Sequence, residues 1–271
     1  MDDETLLKQW ETLGISNDFI FCKVMEDEEL LAELIHLILP EIEFTDLTII
    51  AQKAEKDGLD THGVRFDIFV RDESGRAIEI EMQVLNTGNL PLRIRFYCSM
   101  IDTQMLAPSE SYSKLKEKYI IMICPFDPYK QGRHFYSFTN RCDQDYELHL
   151  GDKTTVIVLS ADGTMDDVSH KLKAFLDYVV GKPTDDEYVQ KLEAAVKKAR
   201  ANKEWRRDYM TARMRDLENQ EIGEKRGEQN AKNQMIWNMV KDGLDPEKIA
   251  KYADVSVDYI VKIKDGELQI V

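Results

Sequence analysis

The residues best suited to chemistry lie between Val64 and Val84, in VRFDIFVRDESGRAIEIEMQV. The stretch RDESGR reads as a turn between two strands, because Asp, Ser and Gly supply local hydrogen bonds and backbone freedom. Pairing the strands around Ser74 sets Phe66 opposite Met82, Ile68 opposite Ile80 and Val70 opposite Ile78, all apolar. Side chains alternate across a strand, so the other face sets Arg65 opposite Gln83, Asp67 opposite Glu81 and Phe69 opposite Glu79. Opposed Cβ atoms in an antiparallel pair are about 4.5–5.5 Å apart, and like charges there destabilise. Two carboxylates so placed need a cation, a proton or a neighbouring base. A hard ion such as Mg²⁺, with Mn²⁺ as a substitute, binds one or two carboxylates plus water and phosphate oxygens. Asp67 and Glu81 would supply the carboxylates and the Met82 backbone carbonyl a third oxygen. Gln83 is placed to orient a water or touch a phosphate, but its amide does not titrate and is no general base. The plain alternative is that both acids face solvent on a half-polar hairpin, with Arg65 and Arg76 partly neutralising them.

The surrounding pattern is mixed. From Asn17 to Leu39 the sequence reads as helix, with Leu30, Leu31, Leu34, Ile35 and Ile38 at helical spacing and Pro40 as the stop. A first strand falls in FTDLTIIAQ, and LDTHG leads into the hairpin. A helix from about Leu92 to Leu106 ends before Pro108. Then YIIMIC, Tyr119 to Cys124, reads as a strand buried on both faces. HFYSFT at His134 to Thr139 and TTVIVLS at Thr154 to Ser160 are further strands. This order predicts an α/β domain of about 160 residues. Beyond Ser160 the chain turns helical: one helix from about Asp166 to Val180, then a long charged one from Asp185 to about Gln220, interrupted at Gly223 and Gly227. In the tail, Asp245 with Pro246 and then Ser256 start two short helices, a helix-turn-helix shape. Its last helix offers only Lys262 and Lys264 beside Asp258, which is poor equipment for reading DNA.

Composition narrows the classes. No stretch of the 271 residues approaches the roughly 20 apolar residues of a membrane span, and the opening MDDETLLKQW is no signal peptide. The four cysteines form no CxxC, and the five histidines form no HExxH, which disfavours zinc and thiol-redox chemistry. The expected setting is the cytoplasm. A net charge of -15 repels a polyanion. The excess acid is concentrated toward the N-terminus, however, whereas Lys197 to Arg215 is basic. Lys203, Arg206 and Arg207 are therefore candidate DNA contacts, with a solvated helix face as the alternative.

The segments NDFIFCKVM, VRFDIFVRDESGRAIEIEMQV, LPLRIRFYCSMID, SYSKLKEKYIIMICPFDPY and HFYSFTNR, in that order, resemble the PD-(D/E)XK nuclease superfamily. Within it they resemble the bacterial recombination-promoting nuclease and transposase family, over Asn17 to about Gly163. The resemblance implies a restriction-endonuclease-like α/β core at residues 1–165. A charged helical region at 166–228 and a small helical tail at 229–271 would follow as an all-helical extension. It implies a Mg²⁺-dependent DNA endonuclease in which Asp67 and Glu81 hold the metal and Gln83 takes the place of the motif lysine. Family members commonly read ExQ at this point. An added acid from the first helix would be Glu33, or Glu29. Arg93, with Arg95, would contact phosphate, while Tyr97 shares the face of Arg93 four residues on. The alternative pairs Arg93 with an acid of the site and buries Tyr97. Superfamily nucleases often act as dimers, and the helical C-terminal region is the candidate for that contact. The rival function is a catalytically silent nuclease fold acting as a binding or regulatory partner.

Overall fold

A computed structural model describes residues 3–51, 54–55 and 64–266, so the LDTHG lead-in and the Arg65 side chain lie outside the described residues. The chain divides into two compact units, Met1–Arg206 and Arg207–Val271. The first opens with α1 (Asp3–Thr12), α2 (Asp18–Val24) and α3 (Glu28–Ile38). The single helix expected from Asn17 to Leu39 is two. Asp27, inside the acidic run, accepts the amides of Glu29 and Leu30 at 3.1 and 3.2 Å and starts a new helix. A side-chain acceptor there satisfies first-turn amides that have no partner within the helix.

The strands follow as β1 (Thr48–Ala51), β2 (Ala54–Glu55), β3 (Val64–Arg65), β4 (Ile68–Arg71) and β5 (Ala77–Met82). Next come α4 (Leu90–Met105), β6 (Lys118–Cys124), β7 (Phe135–Phe138), β8 (Arg141–Cys142), β9 (Asp145–His149) and β10 (Thr154–Ser160). Then α5 (His170–Val179) and α6 (Glu187–Ala201) complete the first unit's regular elements. A six-stranded sheet runs β1-β4-β5-β6-β10-β7. Its centre, β5, β6 and β10, is parallel, and the outer pairs are antiparallel. Every residue of β6 is buried, as its continuous apolar run requires. This is the mixed α/β core that the sequence predicts.

Helix α4 covers one face of the sheet, where Leu90, Ile94, Tyr97, Met100 and Ile101 pack with Phe69, Ala77, Ile120, Met122 and Val158. Helix α2 reaches β5, and α6 packs on α2, α3 and α5. The helices expected after Ser160 thus begin inside the first unit rather than beside it. Tyr188 donates its hydroxyl to the Leu30 carbonyl, and the Trp10 indole donates to the Arg200 carbonyl, both at 2.9 Å.

The second unit contains most of α7 (Lys203–Lys241), then α8 (Pro246–Ala253) and α9 (Val257–Lys264). Asn202 accepts the amides of Glu204 and Trp205 at 2.9 and 3.1 Å, which separates α6 from α7 where one long helix was expected. Conversely α7 runs unbroken through Gly223 and Gly227. A glycine costs a helix only about 1 kcal/mol relative to alanine, too little to interrupt 39 residues. Ile236, Ile249, Ala253, Ile260 and Ile263 form this unit's small core. Asp245 and Ser256 cap the two short helices as their sequence predicts. No helix among the described residues is long and apolar enough to cross a membrane.

Candidate active site

Strands β4 and β5 pair in the expected register, with Ile68 opposite Ile80, Phe69 opposite Glu79 and Val70 opposite Ile78. The turn is fixed by Asp72, whose Oδ1 accepts the Ser74 hydroxyl and the Arg76 amide at 2.8 Å each. Gly75, at φ +83°, takes the left-handed backbone that the turn needs. Asp67 departs from the regular scheme, lying in the bend between β3 and β4. Its Oδ2 accepts the Met82 amide at 3.1 Å, and its carbonyl accepts the Cys22 thiol at 3.5 Å. The bend also breaks the alternation for Phe66. Instead of facing Met82 it packs against Phe69 and Tyr97, with ring centroids 5.6 and 5.3 Å apart.

The solvent-facing alternative for the two acids does not hold. Asp67 is 6% exposed, Glu81 3%, Gln83 5% and Glu79 0%. Each large apolar side chain buried under α4 contributes about 1.5–3 kcal/mol, so several together outweigh the cost of carrying carboxyl groups beneath the helix. An isolated buried carboxylate in charged form is far costlier, and the group shifts its pKa or finds a counter-charge.

Glu81 has found the counter-charge. Arg93, on the first turns of α4, donates Nη2 to Glu81 Oε1 and Nη1 to Gln83 Oε1, the latter at 2.6 Å. Its Nε and Nη2 also donate to the Tyr97 hydroxyl at 3.0 and 2.7 Å, and that hydroxyl donates to Glu81 Oε1 at 3.2 Å. Arg93 and Tyr97 share a face, and the geometry is that of the alternative reading of the pair: Arg93 meets an acid of the site and Tyr97 is buried. Gln83 donates its amide to the Leu85 carbonyl at 2.6 Å, which fixes which end of the side chain faces Arg93.

Burial pushes the Glu81 carboxyl above the ordinary carboxylate range, although Arg93, Tyr97 and the Asp67 amide pull the other way. Burial opposes the charge of Arg93, but Glu81 and Tyr97 outweigh it and raise that group. Glu79 is raised well above its ordinary value by burial first, then by the charges of Glu81 and Asp67. No hydrogen bond of ordinary geometry reaches either Glu79 oxygen or Glu81 Oε2.

Those orphaned oxygens are hard donors facing away from water, the chemistry that suits a divalent cation. Among the described residues no three His, Cys, Asp or Glu side chains converge as ready ligands. The oxygens that could hold such an ion are those of Asp67, Glu81 and a backbone carbonyl such as that of Met82.

The other candidates lie elsewhere or reach the site differently. Glu33 faces α6, its carboxylate 3.2 Å from Lys191 Nζ, and Glu29 is exposed beside it on α3. The helical acid whose charge is felt at Glu81 is Asp18, at the first turn of α2. It stands in the NDFIFCKVM segment but was assigned no role there. Glu79 was likewise missed, because a carboxyl opposite Phe69 on a polar strand face looks solvated until α4 is in place. Arg95 is exposed on α4. Lys203 is exposed and Arg206 half-buried at the start of α7, and Arg207 is exposed in the second unit.

A mixed six-stranded sheet flanked by helices is the architecture of a PD-(D/E)XK-type α/β core. The model of the PD-(D/E)XK nuclease family transposases matches residues 15–225, and the chain belongs to that family. The match extends past the sheet through α5, α6 and the first half of α7. Comparisons with curated proteins and with solved structures return no significant match. The family points to a nuclease-type function, and PD-(D/E)XK nucleases generally use divalent metals.

Proposed function

We propose that this protein is a Mg²⁺-dependent endonuclease that hydrolyses DNA phosphodiester bonds, with Asp67 and Glu81 as the metal-holding acids. The observation that carries the reading is the burial of both acids, at 6 and 3% exposure, Glu81 near the end of β5 and Asp67 in the bend tied to it, in a chain of this family. A divalent ion there would lower the pKa of a bound water and stabilise charge developing on phosphate. The Met82 carbonyl would add an oxygen, and Gln83 would orient the attacking water. Arg93 and Arg95 would take phosphate oxygens, the former through a planar fork that suits them. Lys203 and Arg206 would add phosphate contacts of their own, and Arg207, in the second unit, is a separate candidate for the DNA backbone. Mn²⁺ would substitute for Mg²⁺.

The test is nicking of supercoiled plasmid in Mg²⁺, in Mn²⁺ and with EDTA, beside the Glu81→Ala protein. Metal-dependent nicking that Glu81→Ala abolishes supports the reading. Equal rates for parent and variant overturn it. A second reading, a silent nuclease fold serving as a binding partner, draws on the engagement of Gln83 and Glu81 with Arg93. Calorimetry separates the two, since a silent relic shows no ion binding that depends on both acids.

A further inference from the structure

The Arg93 guanidinium reaches the acid strand and Tyr97 of its own helix. Nη2 meets Glu81 Oε1 and Nη1 meets Gln83 Oε1, while Nε and Nη2 share the Tyr97 hydroxyl. The carboxylate oxygen it uses belongs to the residue assigned as a metal ligand. Guanidinium and metal are like charges, so close approach of both to that carboxylate is opposed by their repulsion. The two ends of this contact also differ in freedom. The Glu81 side chain is 3% exposed on a strand paired on both edges, whereas the Arg93 side chain is 36% exposed and has a path outward. A guanidinium fork fits a phosphate as well as it fits a carboxylate.

We propose that Arg93 is a positioning residue that exchanges partners. It neutralises and holds the Glu81 carboxylate until a divalent ion binds, and then transfers its fork to the substrate phosphate. Ion and phosphate thereby strengthen each other's binding, because coupling between two sites is reciprocal. The inference rests on the reading of Asp67 and Glu81 as ion ligands.

Calorimetric titration of Mn²⁺ into the full-length, DNA-free protein tests it, with parent, Arg93→Met and Arg93→Lys compared and folding checked by circular dichroism. The methionine keeps an apolar stem without charge. The lysine keeps the charge and the fold but loses the fork, so one variant remains informative if the other fails to fold. Arg93→Met should bind Mn²⁺ about tenfold more tightly than the parent, within the usual range of coupling between sites. Arg93→Lys should fall between them. Dimethyl phosphate, a diester probe, should tighten Mn²⁺ binding to the parent and not to Arg93→Met. If the parent binds Mn²⁺ and the folded variants bind it no more tightly, Arg93 only holds Glu81 in shape and the exchange is wrong. If neither parent nor variants bind Mn²⁺, the ion reading of the acids falls, and the exchange falls with it.

Discussion

Met82 donates its backbone amide to Asp67 Oδ2 at 3.1 Å, so the bend before β4 is tied to the acid strand one residue beyond Glu81. This bond keeps Asp67 beside Glu81 although Asp67 lies outside the paired segment of β4. It also gives Asp67 a structural role that substitution can separate from a chemical one.

Asp67→Asn retains an oxygen acceptor for the Met82 amide, whereas Asp67→Ala leaves that buried amide without one. Thermal melts should show Asp67→Ala less stable by about 1–3 kcal/mol, the cost of an unmet buried donor, and Asp67→Asn nearly unchanged. Plasmid nicking should fall in both by about a hundredfold or more, beyond the loss usual for residues that only support a ligand. Full activity in Asp67→Asn would remove the residue from the site.

Glu79 gives the protein a pH dependence of definite sign. Its carboxyl is raised in the folded state, so its contribution to stability is complete below the ordinary carboxylate pKa, about 4.3, and is lost as pH climbs through the raised value. Glu79→Gln should therefore melt higher than the parent at about pH 8 and show a flatter stability profile from there down to about pH 5. A variant that melts lower across that whole range would mean Glu79 is stabilised in its charged form.

Replacing Gln83 by lysine restores the superfamily's usual residue, yet it should not restore anything here. The Gln83 Oε1 acceptor for Arg93 disappears and a second cation arrives beside the guanidinium. Gln83→Lys should cost about 1–3 kcal/mol in a denaturant titration and nick plasmid no faster than the parent. A faster variant would show that a general base at this position limits the chain.

Self-association through the helical C-terminal region can draw on α5 and α6 of the first unit or on the second unit, and removing the second unit separates the two. Cutting the chain before Asp185 would strip α6 from α2 and α3, so the informative truncation ends at Arg206. Light scattering should give a dimer mass for the full chain and a monomer mass for the truncated one. Equal oligomeric states would place any contact in the first unit.

The parts of the fold that could be read in the sequence are those whose signal is local. The β4–β5 register follows from period-two alternation around a turn that Asp72 and Gly75 close. Strands β6 and β10 announce themselves as apolar runs, and the Asp245 and Ser256 caps mark their helices. What was hidden depends on residues distant in sequence. The burial of Glu79 and Glu81 comes from α4, and nothing in AIEIEMQV reports a helix lying over its polar face. The cap at Asp27 is concealed among like acids, and β9 is exposed along its whole length, so no alternation betrays it. For the site, the acids and Arg93 were legible as types, whereas the sequence left Arg93 open between an acid and a phosphate, and the fold turns it to Glu81.

Strand β5 is bonded along both edges, antiparallel to β4 and parallel to β6, while α4 lies across it through side chains. The two walls of the site are thus built to different tolerances. A change of backbone in β5 must be absorbed by two neighbours at once, but α4 can shift or be rewritten residue by residue. A substitution in β5 is therefore felt by β4 and β6 together, whereas one on the exposed side of α4 is felt by that helix alone.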